Sequence, residues 1–176
     1  THMGAEGAQW IGMQPFTDTR HIFQNMGDGT YAHSGSLAVR YCAATDTDIT
    51  FKILVNSHTS MTGGQQIMGA EPVRNLVAEL VANGVKRIIV TTEDLSRYNA
   101  VDLAGNTEIW HRDRIMEAQK LLAGTAGTTV LIHDQECAAE LRRQRGRGKA
   151  WEPAAVMVIN ERVCEGCGDC GEKSNC

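Results

Sequence analysis

No run of about 18 apolar residues occurs in this 176-residue chain, and its amino terminus carries no apolar signal core. The first absence excludes a helical membrane span; the second gives no sign of secretion, so a cytoplasmic setting is expected. A basic surplus is missing too. Lys+Arg 17 against Asp+Glu 21 leaves a formal charge of -4, which argues against a general nucleic-acid binder, for which a basic surplus is the expected footprint. No internal repeat is visible. With 42% hydrophobic and 22% charged residues, the chain can bury one core and carry a small appendage, but two full domains are not expected. Thr1 and His2, ahead of Met3, read as a cloning remnant.

Cysteine is present but unevenly placed. Cys42 and Cys137 stand alone in helical patterns and read as buried small apolar residues, whereas Cys164, Cys167, Cys170 and Cys176 crowd the carboxyl terminus. Disulfides among those four would close only tiny, strained loops, and the expected compartment is reducing. Metal or cluster ligation is the stronger reading.

Along the chain, His21-Ile22-Phe23-Gln24-Asn25-Met26 predicts a strand, stopped by Gly27-Asp28-Gly29, and Ser34 predicts a helix N-cap. That helix would carry Leu37, Ala38, Tyr41 and Cys42 on one face. A second strand is predicted over Ile49-Thr50-Phe51-Lys52-Ile53-Leu54-Val55, followed by a polar loop from Asn56 to Gly64. Pro72 suits a first helical turn, with Val73, Leu76, Val77, Leu80 and Val81 at helical spacing until Asn83-Gly84. Further strands are predicted at Arg87 to Thr92, Thr107 to Trp110, Thr128 to Ile132 and Val156 to Ile159, with a helix from about Asp113 to Leu122. Strands alternating with helices predict an α/β fold with a doubly wound, mainly parallel sheet. The expected units are an α/β domain over 3–141, a basic linker over 142–155 that follows a helical start at Glu136, and a cysteine-rich segment over 156–176. The run from Arg142 to Lys149 is read as a solvated linker, with a phosphate-binding or partner-docking patch as the alternative.

In an open parallel sheet, ligands bind beyond the carboxyl ends of strands, where both glycine-bearing loops leave. Gly27 and Gly29 let backbone amides approach a phosphate, Asp28 between them offers a carboxylate oxygen, and helix amides near Ser34-Gly35 would face the anion. Asn56 ends the next strand with an amide oxygen. An ion between the two strand ends could take Asp28, Asn56 and a nearby main-chain carbonyl, a shell of hard oxygens that suits magnesium carrying a diphosphate. The residues between Gly29 and Asn56 leave room for one helix and one strand of a single crossover.

This spacing resembles the diphosphate signature of thiamine diphosphate enzymes. More narrowly, Met3-Gly4-Ala5-Glu6-Gly7-Ala8, Phe23-Gln24-Asn25-Met26-Gly27-Asp28-Gly29-Thr30-Tyr31-Ala32-His33-Ser34-Gly35, Met61-Thr62-Gly63-Gly64-Gln65, Asp134-Gln135-Glu136-Cys137-Ala138-Ala139-Glu140 and Cys164-Glu165-Gly166-Cys167-Gly168-Asp169-Cys170 resemble the indolepyruvate branch of the 2-oxoacid:ferredoxin oxidoreductases. The resemblance implies the thiamine diphosphate-binding fold, with Mg2+ held by Asp28, Asn56 and the main-chain oxygen of His58. It further implies that Gly4, Ala5, Glu6, Gly7, Gly27, Gly29, Thr30, Ser34, Thr62 and Gly63 line the cofactor. The chain departs from the pattern at Val55, where related enzymes often carry Asp, and at Ser57-His58, where Gly-Thr is common. His33 and His58 lie in the two cofactor loops and are the candidates for contact with substrate or the reacting carbon. His21 and His133 sit in strand patterns and read as structural, as Trp10 and Met61 read as packing residues.

The run Cys164-x2-Cys167-x2-Cys170-x5-Cys176 has the close thiolate spacing of iron-sulfur ligation, with Gly166, Gly168 and Gly171 freeing the backbone. The usual ferredoxin run continues with x3-Cys-Pro, so Cys176 ligates either the same cluster or a second one. Structural zinc is the rival. The resemblance implies a 4Fe-4S centre that passes electrons to ferredoxin, while the acyl group of a decarboxylated 2-oxoacid goes to coenzyme A. It also implies a separate pyrimidine-binding domain supplying the activating carboxylate, which these residues do not contain, and a homo-oligomeric parent enzyme without nucleic-acid or membrane partners. The alternatives are a non-catalytic iron-sulfur electron-transfer or assembly module and a zinc-stabilised nucleotide-binding domain.

Overall fold

β-branched and aromatic residues cluster in five short runs, and each becomes a strand. The computed structural model of the protein describes residues 2–59, 62–99, 103–152, 155 and 158–172. The strands are β1 (Ile22–Gly27), β2 (Ile49–Val55), β5 (Arg87–Thr92), β6 (Glu108–His111) and β7 (Thr128–Asp134). They form one all-parallel sheet in the order β1-β2-β7-β5-β6. Two shorter strands, β3 (His58–Thr59) and β4 (Gln65–Gln66), pair antiparallel as a small hairpin beyond β2.

Helices cover both faces of the sheet. On one side, Ile49, Phe51 and Ile53 of β2 with Val90, Val130 and Ile132 pack against Val39 and Cys42 of α3 (Ser36–Ala44), Leu80 of α4 (Val73–Ala82) and Trp10 of α1 (Ala8–Met13). On the other, Ile89 and Leu131 meet Ala118 and Leu122 of α5 (Ile115–Ala123). Alternate residues of β5 and β7 enter opposite cores, as the two-residue side-chain period of a strand requires. The fold is therefore α/β and doubly wound, as expected. Among the described residues no helix is long and apolar enough to cross a membrane.

Several expectations need correction. Ser34 is not an N-cap: the helix starts earlier, as α2 (Asp28–Thr30), and passes through a π-helical segment, Tyr31–Gly35, into α3. The wide turn adds a residue and rotates the stripe that follows, so Ala38, Val39, Cys42 and Ala43 are buried while Leu37 and Tyr41 are exposed. Pro72 caps α4 from outside, with ψ 146, rather than sitting in its first turn. Val81 lies on the exposed side of that helix. The basic run is not irregular throughout, because Arg142, Arg143 and Arg145 belong to α6 (Ala138–Gly146). Finally, Val158 and Ile159 are exposed and form no strand, and the rest of that expected strand, Val156 and Met157, lies outside the described residues.

Candidate functional site

Parallel strands end on the same side, and the register aligns those ends. Gly27 stands opposite Leu54, Val55 opposite Asp134, and Asp134 opposite Thr92. Asp28 opens α2 immediately beyond β1. One of its carboxylate oxygens accepts the N–H groups of Asn56 (2.9 Å) and Ser57 (2.7 Å), and the other accepts that of Gly29 (2.9 Å). Beyond β2, Asn56 Oδ1 accepts the His58 N–H at 3.0 Å, and His58 Nδ1 lies 2.9 Å from the Asn56 carbonyl oxygen. Two loops far apart in sequence are thus laced by one carboxylate. Ser57 is left-handed, with φ 60, a conformation that costs a non-glycine residue roughly 1–2 kcal/mol. The Asp28 bond to its N–H holds it there, at the position where the resemblance expects glycine.

The residues present fit a magnesium diphosphate. Asp28 and Asn56 bring hard side-chain oxygens within one loop cluster, with the His58 backbone tied to it. Gly27 has no left-handed φ, and a Cβ there would meet nothing within 4 Å. Among the described residues nothing packs where a side chain at Gly27 would stand; what the glycine leaves is open space at the end of β1. The helix amides that could face an anion are those of Asp28–Thr30, not those near Ser34-Gly35, which lie in the π segment.

Two cavities flank this cluster. The larger, about 300 Å³, is lined by Asn56, Ser57, His58, Glu93, Arg97, Asp134 and Glu136. It is roomy enough for a small ligand. Asp134 is only 8% exposed, and one of its oxygens accepts the Tyr98 hydroxyl at 2.8 Å and Arg97 Nη1 at 3.2 Å. Burial, then that carboxylate, pushes the Tyr98 phenol above its ordinary value. The smaller cavity lies against Asp28, Tyr31, Ile53, Val55 and Leu76. Tyr31 is buried, its hydroxyl stops short of a hydrogen bond, and burial first, then the nearby Glu79 carboxylate, holds the phenol high.

The structure brings Asp28, Gly29, Asn56 and His58 together, but not every expected residue joins them. His33 is exposed, with Nδ1 2.6 Å from Ser34 Oγ, and lines neither cavity. Gly4, whose N–H donates to Glu6 Oε2 at 2.6 Å, packs on Ser34, where a Cβ would overlap Ser34 Oγ. Ala5 and Glu6 continue that turn. Gly7 lies against Phe51 and Ile49, beside the amino-terminal half of β2 and away from the Asn56 end. Thr30 is buried in α2, and Thr62 and Gly63 form an exposed turn in which Thr62 Oγ1 donates to Gln65 Oε1 at 2.8 Å. Met61 lies outside the described residues. Trp10 is buried, as expected of a packing residue, and donates to the Asp48 carbonyl oxygen at 3.0 Å. His21 and His133 are tied to sheet threonines, at 2.8 Å from Thr50 Oγ1 and 2.9 Å from Thr91 Oγ1.

Sequence reasoning missed Arg97, Glu93, Asp134 and Glu136 as cleft residues. The available signal was their place just at or beyond the carboxyl ends of β5 and β7. Burial raises the Cys42 thiol to about 11, as fits a packed, inert side chain, while Cys137 is half-buried ahead of α6. Cys164, Cys167 and Cys170 are exposed on a segment whose Gly166 and Gly168 take φ 69 and 82. Cys176 lies outside the described residues. Among the described residues no three His, Cys, Asp or Glu side chains gather as a metal group.

Residues 1–100 match the family model "Thiamine pyrophosphate enzyme, C-terminal TPP binding domain". The chain is 25% identical over 159 residues to the indolepyruvate oxidoreductase subunit IorA of Pyrococcus horikoshii, covering 88% of this chain and 22% of that protein. The corresponding subunit of Thermococcus kodakarensis is 24% identical over 156 residues, with the same coverage. This chain therefore spans about a fifth of the length of the curated relatives it matches. Among solved structures, 2-oxoglutarate:ferredoxin oxidoreductase from Magnetococcus marinus shares the fold, with TM-score 0.57 and 18% identity over 78% of this chain and 46% of that one. The strand-edge glycines, the laced Asp28 and the matched residues lead to one conclusion: the chain belongs to the thiamine pyrophosphate enzymes, as a C-terminal TPP binding domain.

Proposed function

We propose that this chain is the thiamine diphosphate- and Mg2+-binding part of a 2-oxoacid:ferredoxin oxidoreductase of the indolepyruvate type. The observation that carries the reading is the Asp28 carboxylate gripping the Asn56 and Ser57 amides across the ends of two neighbouring parallel strands. Asp28, the Asn56 amide oxygen and the His58 carbonyl would hold the cation. The open space at Gly27 would admit the diphosphate, and the first amides of α2 would donate to it. When bound, thiamine diphosphate supplies a thiazolium carbon nucleophile for the 2-oxo carbon of the substrate. The larger cleft, continuous with Asn56 and His58, is the place for that substrate.

Cys164, Cys167 and Cys170, with Cys176, would hold a 4Fe-4S cluster that conducts electrons toward ferredoxin, and coenzyme A would take the acyl group. Indolepyruvate or a related arylpyruvate is the substrate suggested by the IorA relatives. The parent enzyme would be a cytoplasmic homo-oligomer whose pyrimidine-binding domain contributes the activating carboxylate. This chain alone should then bind cofactor without turning over 2-oxoacid, since losing a positioned acid-base group costs about 10² to 10⁴ in rate. Calorimetric titration with thiamine diphosphate tests the reading: binding should require Mg2+, and equal affinity in excess chelator would overturn it.

A further inference from the structure

Glu140 stands in the first turn of α6, yet it is only 5% exposed. Its carboxylate bonds to Arg143 Nη1 at 3.2 Å. A pair three residues apart on a helix ordinarily faces solvent, where it matters little. Here it is roofed by another part of the chain. Gly64, left-handed at φ +82, lies so close that a Cβ would overlap Glu140 Oε2 and meet its Cδ at 2.8 Å and Arg143 Nη1 at 3.2 Å. The Gly64 N–H in turn donates to the Thr59 carbonyl oxygen at 3.1 Å, closing the end of the β3–β4 hairpin. That hairpin begins at His58, which is tied to Asn56, whose amide is held by Asp28. An unbroken series of contacts therefore runs from α6 to the strand-edge carboxylate. The Arg143 hydrogen bond first, against the opposing cost of burial, holds the Glu140 carboxyl below its ordinary value.

We propose that Glu140, braced by Arg143, is a positioning residue that clamps the β3–β4 hairpin and so keeps Asn56 and His58 at the Asp28 cation site. It touches neither cofactor nor substrate and acts through the hairpin. The proposal rests on the magnesium-diphosphate reading and adds a remote control on it: α6, which carries only the last three residues of the Asp134 to Glu140 motif but much of the basic run, sets how well the loop receives a cation.

The test uses the 176-residue chain with Glu140→Ala, Glu140→Gln and Gly64→Ala. Amide hydrogen exchange without cofactor should speed up about tenfold at His58, Thr59 and Gly64 in Glu140→Ala and Gly64→Ala, while β5 and β7 keep their protection. In calorimetry with thiamine diphosphate, the Mg2+ concentration for half-saturation should rise about tenfold in both. Glu140→Gln, which keeps the shape and an oxygen for Arg143, should recover most of the wild-type behaviour, and Gly64→Ala carries the test if Glu140→Ala fails to fold. Unchanged hairpin exchange, or a lowered melting temperature with wild-type Mg2+ half-saturation, would overturn the clamp. If the wild-type chain binds no thiamine diphosphate at any Mg2+ concentration, the magnesium-diphosphate reading fails, and the exchange data still decide whether Glu140 holds the hairpin.

Discussion

At the carboxyl edge of the sheet, Asp28 accepts three backbone N–H groups from two loops, whereas every described residue over 158–172 is exposed and its backbone is held by local turns. Both regions carry ligand-like spacing in the sequence, but they are organised by different means. The edge is shaped by strands whose register aligns Gly27, Val55 and Asp134, so its donors are in place before anything binds. Among the described residues of the cysteine segment none is buried. Its thiolates would be gathered by the metal, and binding free energy would double as folding free energy.

Replacing Asp28 should separate the two regions most sharply. Asp28→Ala is expected to weaken Mg2+-dependent thiamine diphosphate binding by at least about 100-fold in calorimetry, since the cation loses its carboxylate. It should also lower stability, because each lost hydrogen bond to a charged group is worth about 1.5–3 kcal/mol. Asn56→Ala should weaken binding less. Neither change should alter the iron content of anaerobically prepared protein.

The converse experiment is Cys167→Ser. Wild-type protein purified without oxygen should be brown, with about four iron and four sulfide per chain, and this variant should lose them while keeping the melting temperature of the sheet. Stoichiometric zinc in a colourless protein would favour the rival metal. A third variant, Ile53→Ala, removes a fully buried side chain on β2 that also lines the small cavity. It should cost about 2–5 kcal/mol in denaturant unfolding and leave iron content unchanged.

The smallest effect concerns pH. His133 is held below its ordinary value of 6.5 by burial first and by Arg112, with Asp134 opposing, and burial lowers His21 with Asp48 opposing. Unfolding lets both take up protons more readily, so their contribution is fully present above 6.5 and is lost as pH falls from 6.5 through the lower folded values. Melting temperature should therefore decline on acidification through that window, and His133→Gln should flatten the slope.

Much of the fold could be read from the sequence because its signals are local. The buried runs of β2 and β5 announce themselves by β-branched composition, and both strands have the predicted bounds. The helix after Asp28 was harder, since the π segment at Tyr31–Gly35 shifts the helical phase and no residue marks that insertion. Charge density misled at Arg142 to Gly146: Leu and Arg are good helix formers, so a basic run can be helical and solvated at once. At the site, Asp28 and Asn56 were legible from glycines and strand ends. Arg97 and Asp134 were not, because the β2-β7-β5 strand order brings them there, and Glu140 was not legible as a neighbour of the hairpin, because only the tertiary fold sets Gly64 over α6.

The central claim, that Asp28, Asn56 and His58 hold a divalent cation for a diphosphate, is tested most directly by paramagnetic broadening. Mn2+ added to the labelled chain with thiamine diphosphate should broaden the amide signals of Gly29, Asn56, Ser57 and His58, and omission of the cofactor or Asp28→Ala should restore them. Broadening centred instead on Glu93, Asp134 and Glu136, or equal with and without thiamine diphosphate, would contradict the account.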